Sequence, residues 1–169
     1  MKIMIAAYDK NYAIGKNGEL VFPKRLPHDM KHFRDLTMGN TVIMGRKTYE
    51  SLPERHQPRL DGRQNIIMTM GQFAAKGAQT AHSLEAAYAL ADREDIYVIG
   101  GGQIYNLAMD SVDKIEATEV DTWVEGADTH FPAIDPAIWH EVAREKFMAD
   151  EKNPYTHSFV TYLRNHPII

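Results

Sequence analysis

The chain has 169 residues, 44% hydrophobic and 25% charged, enough for one domain with a sizeable core and too few for two comfortable ones. A net charge of −4 leaves no electrostatic footprint for nucleic acid or membrane lipid, and the absence of cysteine removes disulfides, thiolate metal sites and cysteine nucleophiles together. The apolar run at the N-terminus is too short for a signal peptide or a membrane span, so a cytoplasmic protein whose partners are small molecules is expected.

Ile3 to Ala7 is a continuous apolar run, the pattern of a strand buried on both faces. From Tyr8 to Pro27 the chain carries Gly15, Gly18, Pro23 and Pro27 among charges, and no regular element is expected there. Long loops in compact domains tend to be lids or binding loops. Ile14, Leu20, Val21 and Phe22 set this one apart from a plain surface excursion. Pro27 to Thr37 reads as a helix with proline in its first turn and Met30, Phe33 and Leu36 on one buried stripe. Asp29 falls on the edge of that stripe. One reading is an acid that complements the helix dipole. The other is a carboxyl against an apolar wall, with a raised pKa suited to handling protons. His28 and His32 have the spacing of a helical metal pair but no third ligand, so they are expected on a solvated face and no metal is predicted.

Thr41 to Met44 forms a strand that meets Gly45, then Arg46 and Lys47, then a sequence able to wind as a helix to Leu52. Such a corner presents backbone N–H groups and two cations to an anion. Pro53 to Gly62 is polar and turn-rich. Asn65 to Thr69 is a further strand, and Ala78 to Ala81 a short one. Ser83 is placed to cap a helix over Leu84 to Asp92. The strand Ile96 to Ile99 then runs through Gly100, Gly101 and Gly102 into a helix over Gln103 to Met109, a second corner of the same design. Two such corners suit a long, two-ended phosphate ligand. Lys114 to Val124, Glu141 to Ala149 and His157 to Leu163 show strand patterns with no helix between them. The order predicts an α/β fold, a mostly parallel central sheet flanked by helices with an antiparallel C-terminal portion.

The first corner is not a P-loop, because Gly39 and Gly45 have the wrong spacing and Arg46 stands where the lysine should be. No G-x-G-x-x-G follows the first strand, and no G-x-S-x-G or recognisable triad is present. What remains is an anion-binding fold with one half-buried carboxylate, which suits a redox cofactor oriented by the protein.

Several stretches taken together resemble dihydrofolate reductase. They are Ile5-Ala-Ala7, Ile14-Gly15, the helix from Leu26-Pro to Phe33, Val42-Ile-Met-Gly-Arg-Lys-Thr48, Gly62-Arg63, Val98-Ile-Gly-Gly-Gly-Gln-Ile-Tyr105 and Glu125-Gly-Ala-Asp-Thr-His-Phe-Pro132. They occur in family order and cover nearly the whole chain, as one domain over residues 1–169. The resemblance implies reduction of 7,8-dihydrofolate to 5,6,7,8-tetrahydrofolate with hydride from NADPH. It implies a monomer that binds dihydrofolate and antifolates, with no nucleic-acid or membrane partner.

Carried over by position, the resemblance makes Asp29 the active-site carboxylate, supported by Thr118, with Leu20 and Phe22 completing the catalytic set. Ile5, Ala6, Ala7, Met30, Phe33, Leu52 and Leu60 become the walls of the substrate pocket. Arg63 becomes the bidentate partner of the folate α-carboxylate. Ala7, Ile14, Gly15 and Leu20 bracket the nicotinamide. Gly45, Arg46, Lys47 and Thr48, then Thr69 and Met70, then Ile99, Gly100, Gly101, Gly102, Gln103, Ile104 and Tyr105 line the cofactor. Arg46 and Lys47 read the 2′-phosphate, and the Gly101–Gly102 peptide is cis by analogy. The chain departs from the family pattern at Val21-Phe22, where Pro-Trp is usual, in the Pro23-Lys-Arg25 that follows, and in a longer Pro53 to Leu60 segment. Two rivals share the glycine corner: a pyrimidine reductase on the same fold, and a non-catalytic nucleotide-binding protein. The first has no need of Asp29 together with Arg63. The second is favoured only by the missing loop tryptophan.

Overall fold

Strands that are apolar at every position need cover on both faces, and this chain supplies it with helices. The computed structural model describes residues 1–22, 26–52 and 60–166. Its main sheet uses β1 (Lys2–Tyr8), β4 (Thr41–Gly45), β5 (Gln64–Met68), β6 (Gln79–Ala81), β7 (Ile96–Gly100), β8 (Lys114–Val120), β10 (Trp139–Phe147) and β11 (His157–Arg164). They lie in the order β10-β11-β8-β1-β7-β4-β5-β6. β1 runs parallel to both β7 and β8, and β4, β5 and β6 continue the parallel run. β11 is antiparallel to both of its neighbours. The mostly parallel sheet with an antiparallel C-terminal portion is therefore as expected.

Alternation along the strands divides the core into two layers. Met4, Ala6, Ile43, Ile66 and Val98 face one side and pack with α3 (Leu84–Leu90) and α4 (Gly102–Ala108). Ile3, Ile5, Val42, Met44 and Ile67 face the other, where α1 (Pro27–Thr37) supplies Phe33 and Leu36 and α2 (Arg46–Ser51) supplies Tyr49. The Ser83 hydroxyl accepts the Ala86 N–H at 3.0 Å and caps α3 as predicted. A third cluster of Phe22, Leu26 and Val120, with Tyr155 against it, fastens the chain just ahead of α1.

Three expectations are corrected. The stretch from Tyr8 to Pro27 is not free of regular structure: β2 (Ala13–Lys16) and β3 (Glu19–Leu20) form a hairpin, and β2 also pairs with β9 (Thr129–His130). The hairpin turns at Asn17-Gly18, with φ of 52° and 78°, the backbone that a tight two-residue turn requires. The cis peptide is Gly100–Gly101, one bond earlier than expected. His28 and His32 do not lie on a solvated face. The His28 ring bonds His157 at 2.8 Å, and the His32 ring stacks on Phe159 with centroids 3.8 Å apart, so both dock α1 onto β11. Pro23-Lys-Arg25 and most of Pro53 to Leu60 lie outside the described residues.

Candidate active site

In a parallel sheet the C-terminal ends of the strands share one edge, and the ends of β1, β8, β7 and β4 bring the predicted residues there. Asp29 reaches this edge from the first turn of α1. The Thr118 hydroxyl, from β8, donates to Asp29 Oδ1 at 2.6 Å. Thr118 is buried and stands opposite Ala7 of β1. Burial raises the Asp29 pKa above its ordinary 3.8, while the Thr118 hydrogen bond and the nearby His157 pull it down. The proton-handling reading of Asp29 thus has a physical basis beside the dipole reading. Tyr105 is buried close by, and its hydroxyl donates to the Ile5 carbonyl at 2.8 Å. Desolvation first, and the Asp29 charge second, push that phenol well above its ordinary value.

The two corners stand side by side, because β4 and β7 are paired neighbours. Neither α2, which begins after Gly45, nor α4, which begins after Gly101, has a side-chain cap. Their first-turn N–H groups are left for another acceptor, in contrast to the capped α3. A Cβ on Gly101 would lie 3.2 Å from Thr48 Oγ1, and one on Gly102 would meet Thr129 Cγ2 at 2.8 Å. The cradle is therefore tight backbone with no room for a side chain at Gly102 and little at Gly101. Thr48 and Ile99 are half-buried at this rim, Ile104 is buried behind it, and Gln103 is exposed.

Arg46 is less free than expected: its Nε donates to Glu50 at 2.7 Å and its guanidinium lies 4.6 Å from the Phe73 ring. Lys47 is exposed and has no such partner among the described residues. Thr69 follows β5, its carbonyl accepting His82 Nδ1–H at 2.7 Å, and Met70 beyond it is 91% exposed.

Of the residues expected around the substrate, Ile5 and Leu60 are buried and Phe33 and Leu52 half-buried in the layer of α1, Ala7 is half-buried, and Ala6 is buried in the opposite layer with α3 and α4. Met30 is 41% exposed instead of lying on the buried stripe. Arg63 lies over the Phe33 ring at 6.0 Å. Its Nη1 donates to Thr37 Oγ1 at 3.0 Å and its Nε to the Asp61 carbonyl at 3.1 Å. Around the hairpin, Ile14 is buried, Gly15 is half-buried against Thr129, and Leu20 is 53% exposed. Phe22 packs edge-on to Tyr155 in the third cluster, against which Ala7 also packs.

Residues outside the predicted set hold this frame. Asn65 is buried and clamps Leu60 from both sides, accepting its N–H at 2.8 Å and donating to its carbonyl at 2.9 Å. Asp9 accepts the N–H groups of Asn11 and Ala13 with one oxygen and of Val124 with the other. Its Asp-x-Asn sequence after a strand was the available signal. Asp128 accepts the Asn17 N–H at 2.8 Å and ties the hairpin to the segment ahead of β9.

A half-buried carboxyl beside two uncapped glycine corners is the layout of an oxidoreductase that works with a dinucleotide. The family model for dihydrofolate reductase matches residues 1–164. Dihydrofolate reductase of Neisseria meningitidis (serogroup A) is 44% identical over 163 residues, 95% of this chain and 96% of that protein. Dihydrofolate reductase type 3 of Salmonella typhimurium is 40% identical over the same shares of the two chains. The dihydrofolate reductase from Enterococcus faecalis, solved with NADP(H) and RAB-propyl, matches with a TM-score of 0.85 at 36% identity, covering 98% of this chain and 97% of that one. The chain belongs to the dihydrofolate reductase family, oxidoreductases that use NADPH.

Proposed function

We propose that the protein reduces 7,8-dihydrofolate to 5,6,7,8-tetrahydrofolate, with the net addition of a hydride at pterin C6 and a proton at N5. The observation that carries this reading is the Asp29 carboxyl bonded to Thr118 at the sheet edge, beside the glycine corners. NADPH, which the corners at Gly45–Thr48 and Gly100–Gly102 fit, supplies the hydride when bound. The uncapped N–H groups of α2 and α4 would receive its pyrophosphate, and Lys47 with Arg46 its 2′-phosphate. Asp29 accepts hydrogen bonds from the pterin amino group and N3, and its charge favours the proton at N5. Thr118 fixes the orientation of that carboxyl. Ile5, Phe33 and Leu52 exclude water around it, which strengthens every polar contact inside. Arg63 binds the glutamate carboxylate as a fork that lysine lacks. Leu20, exposed on the hairpin, is free to close over the site.

The test is loss of absorbance at 340 nm with NADPH and dihydrofolate, with NADH and a pyrimidine substrate as controls. Rapid oxidation that needs dihydrofolate and prefers NADPH supports the reading. Binding of NADPH without oxidation would refute it.

A further inference from the structure

The first turn of α1 carries Asp29 but lacks a cap of its own. Leu26 precedes the helix and makes no side-chain cap bond, and Pro27 has no N–H to offer. The next N–H, that of His28, is accepted by Asn153 Oδ1 at 3.0 Å, a residue 125 positions away between β10 and β11. Asn153 is itself held: its N–H donates to Asp150 Oδ1 at 2.7 Å and the Asp150 N–H returns to the Asn153 carbonyl at 2.8 Å. A second bond joins the same two segments, His28 Nδ1 to His157 Nε2 at 2.8 Å. Its direction follows from His157 Nδ1, which faces the Tyr155 carbonyl at 2.9 Å and must carry a proton to bond it. In the neutral ring Nε2 is then the acceptor and His28 Nδ1–H the donor. His157 is buried, so both of its nitrogens need these partners.

We propose that Asn153 and His157 are positioning residues that act through Asp29. Asn153 caps α1 from outside the helix, and His157 fixes the residue next to Asp29. Thr118 holds the carboxyl from β8, and Phe159, paired in register with Thr118, carries the stacked His32 ring on the same helix. The first turn is thereby fastened to the two strands that flank the site. The proposal rests on the reading of Asp29 as the active carboxylate.

The experiment is a double-mutant cycle on the full chain, measuring kcat, KM for dihydrofolate and Kd for NADPH. The variants are Asn153→Ala, His157→Ala, His157→Gln and Asp29→Asn, and each of the first three combined with Asp29→Asn. Asn153→Ala and His157→Ala should each lower kcat/KM for dihydrofolate roughly 10-fold while NADPH affinity stays within about twofold, since a small misplacement of a reacting group is felt in the rate. His157→Gln, whose amide both donates and accepts, should restore most of the loss. On the Asp29→Asn background neither alanine substitution should cost anything further. Equal losses on both backgrounds would mean a merely structural role and overturn the proposal, as would no loss in the single variants. If Asp29→Asn alone keeps the full rate, the reading of Asp29 fails first and the positioning role falls with it. Should Asn153→Ala fail to bind NADPH, the His157 substitutions complete the cycle by themselves.

Discussion

Burial drives the Asp29 carboxyl toward its neutral form while the Thr118 hydroxyl favours the charged one, and burial prevails. The folded state therefore holds this proton more tightly than the unfolded chain. Its contribution to stability is full below the ordinary value of 3.8 and is lost as pH rises through the raised folded value. Asp29→Asn should accordingly raise the Tm at pH 7.5, with the gain shrinking as the pH is lowered toward that of the free side chain. Thermal melts across that range check it, and a variant less stable at pH 7.5 would contradict it. Thr118→Val removes the 2.6 Å bond from a charged acceptor, worth about 1.5–3 kcal/mol. A loss of roughly 10- to 100-fold in kcat/KM for dihydrofolate follows, with NADPH affinity retained. Unchanged kinetics would show that Thr118 has no part in fixing the carboxyl.

The hairpin β2–β3 is the element the sequence pattern conceals. Its Asn17-Gly18 turn is a recognisable local signal. Its other partner is not, because Asp128 lies 111 residues from the Asn17 N–H that it accepts. The same holds for α1, whose helical period is plain while its docking bonds to Asn153 and His157 come from the far end of the chain. Periodicity reports which face of an element is apolar, and it carries no information on which distant residue meets a polar one. Asp128→Ala should release the hairpin, increasing amide hydrogen exchange at Gly15 to Leu20 and lowering kcat several-fold, while exchange in β4 and β7 stays as it was. Unaltered exchange in the hairpin would show that other contacts close it.

At the scale of the molecule, the parallel sheet was legible because β1, β4 and β7 are apolar runs bounded by glycine, lysine or aspartate, and alternation along them assigns each side chain to one of two layers. The glycine corners were legible one at a time. That they stand against each other, Gly101 beside Thr48, follows only from the pairing of β4 with β7. Asp29 and Thr118, 89 residues apart, came together through family resemblance and not through spacing. A ligand that spans both corners ties α2 to α4, so NADPH at 100 times its Kd should add about 2.7 kcal/mol. That corresponds to a Tm rise of roughly 5–10 °C. Gly102→Val, whose Cβ would strike Thr129, should lower the unliganded Tm by several degrees and abolish the further rise with NADPH. Under the proposed function, Asp29 promotes the protonation that accompanies hydride transfer. Single-turnover reduction of dihydrofolate, followed by NADPH absorbance from pH 5 to 9 in the wild type and in Asp29→Asn, tests it most directly. The wild-type rate should fall at high pH, above the midpoint at which the N5 proton is lost, and the variant should be slowed at least about 100-fold with that midpoint moved to lower pH, because the Asp29 charge no longer favours the N5 proton. A variant with the wild-type rate and the same midpoint would contradict it.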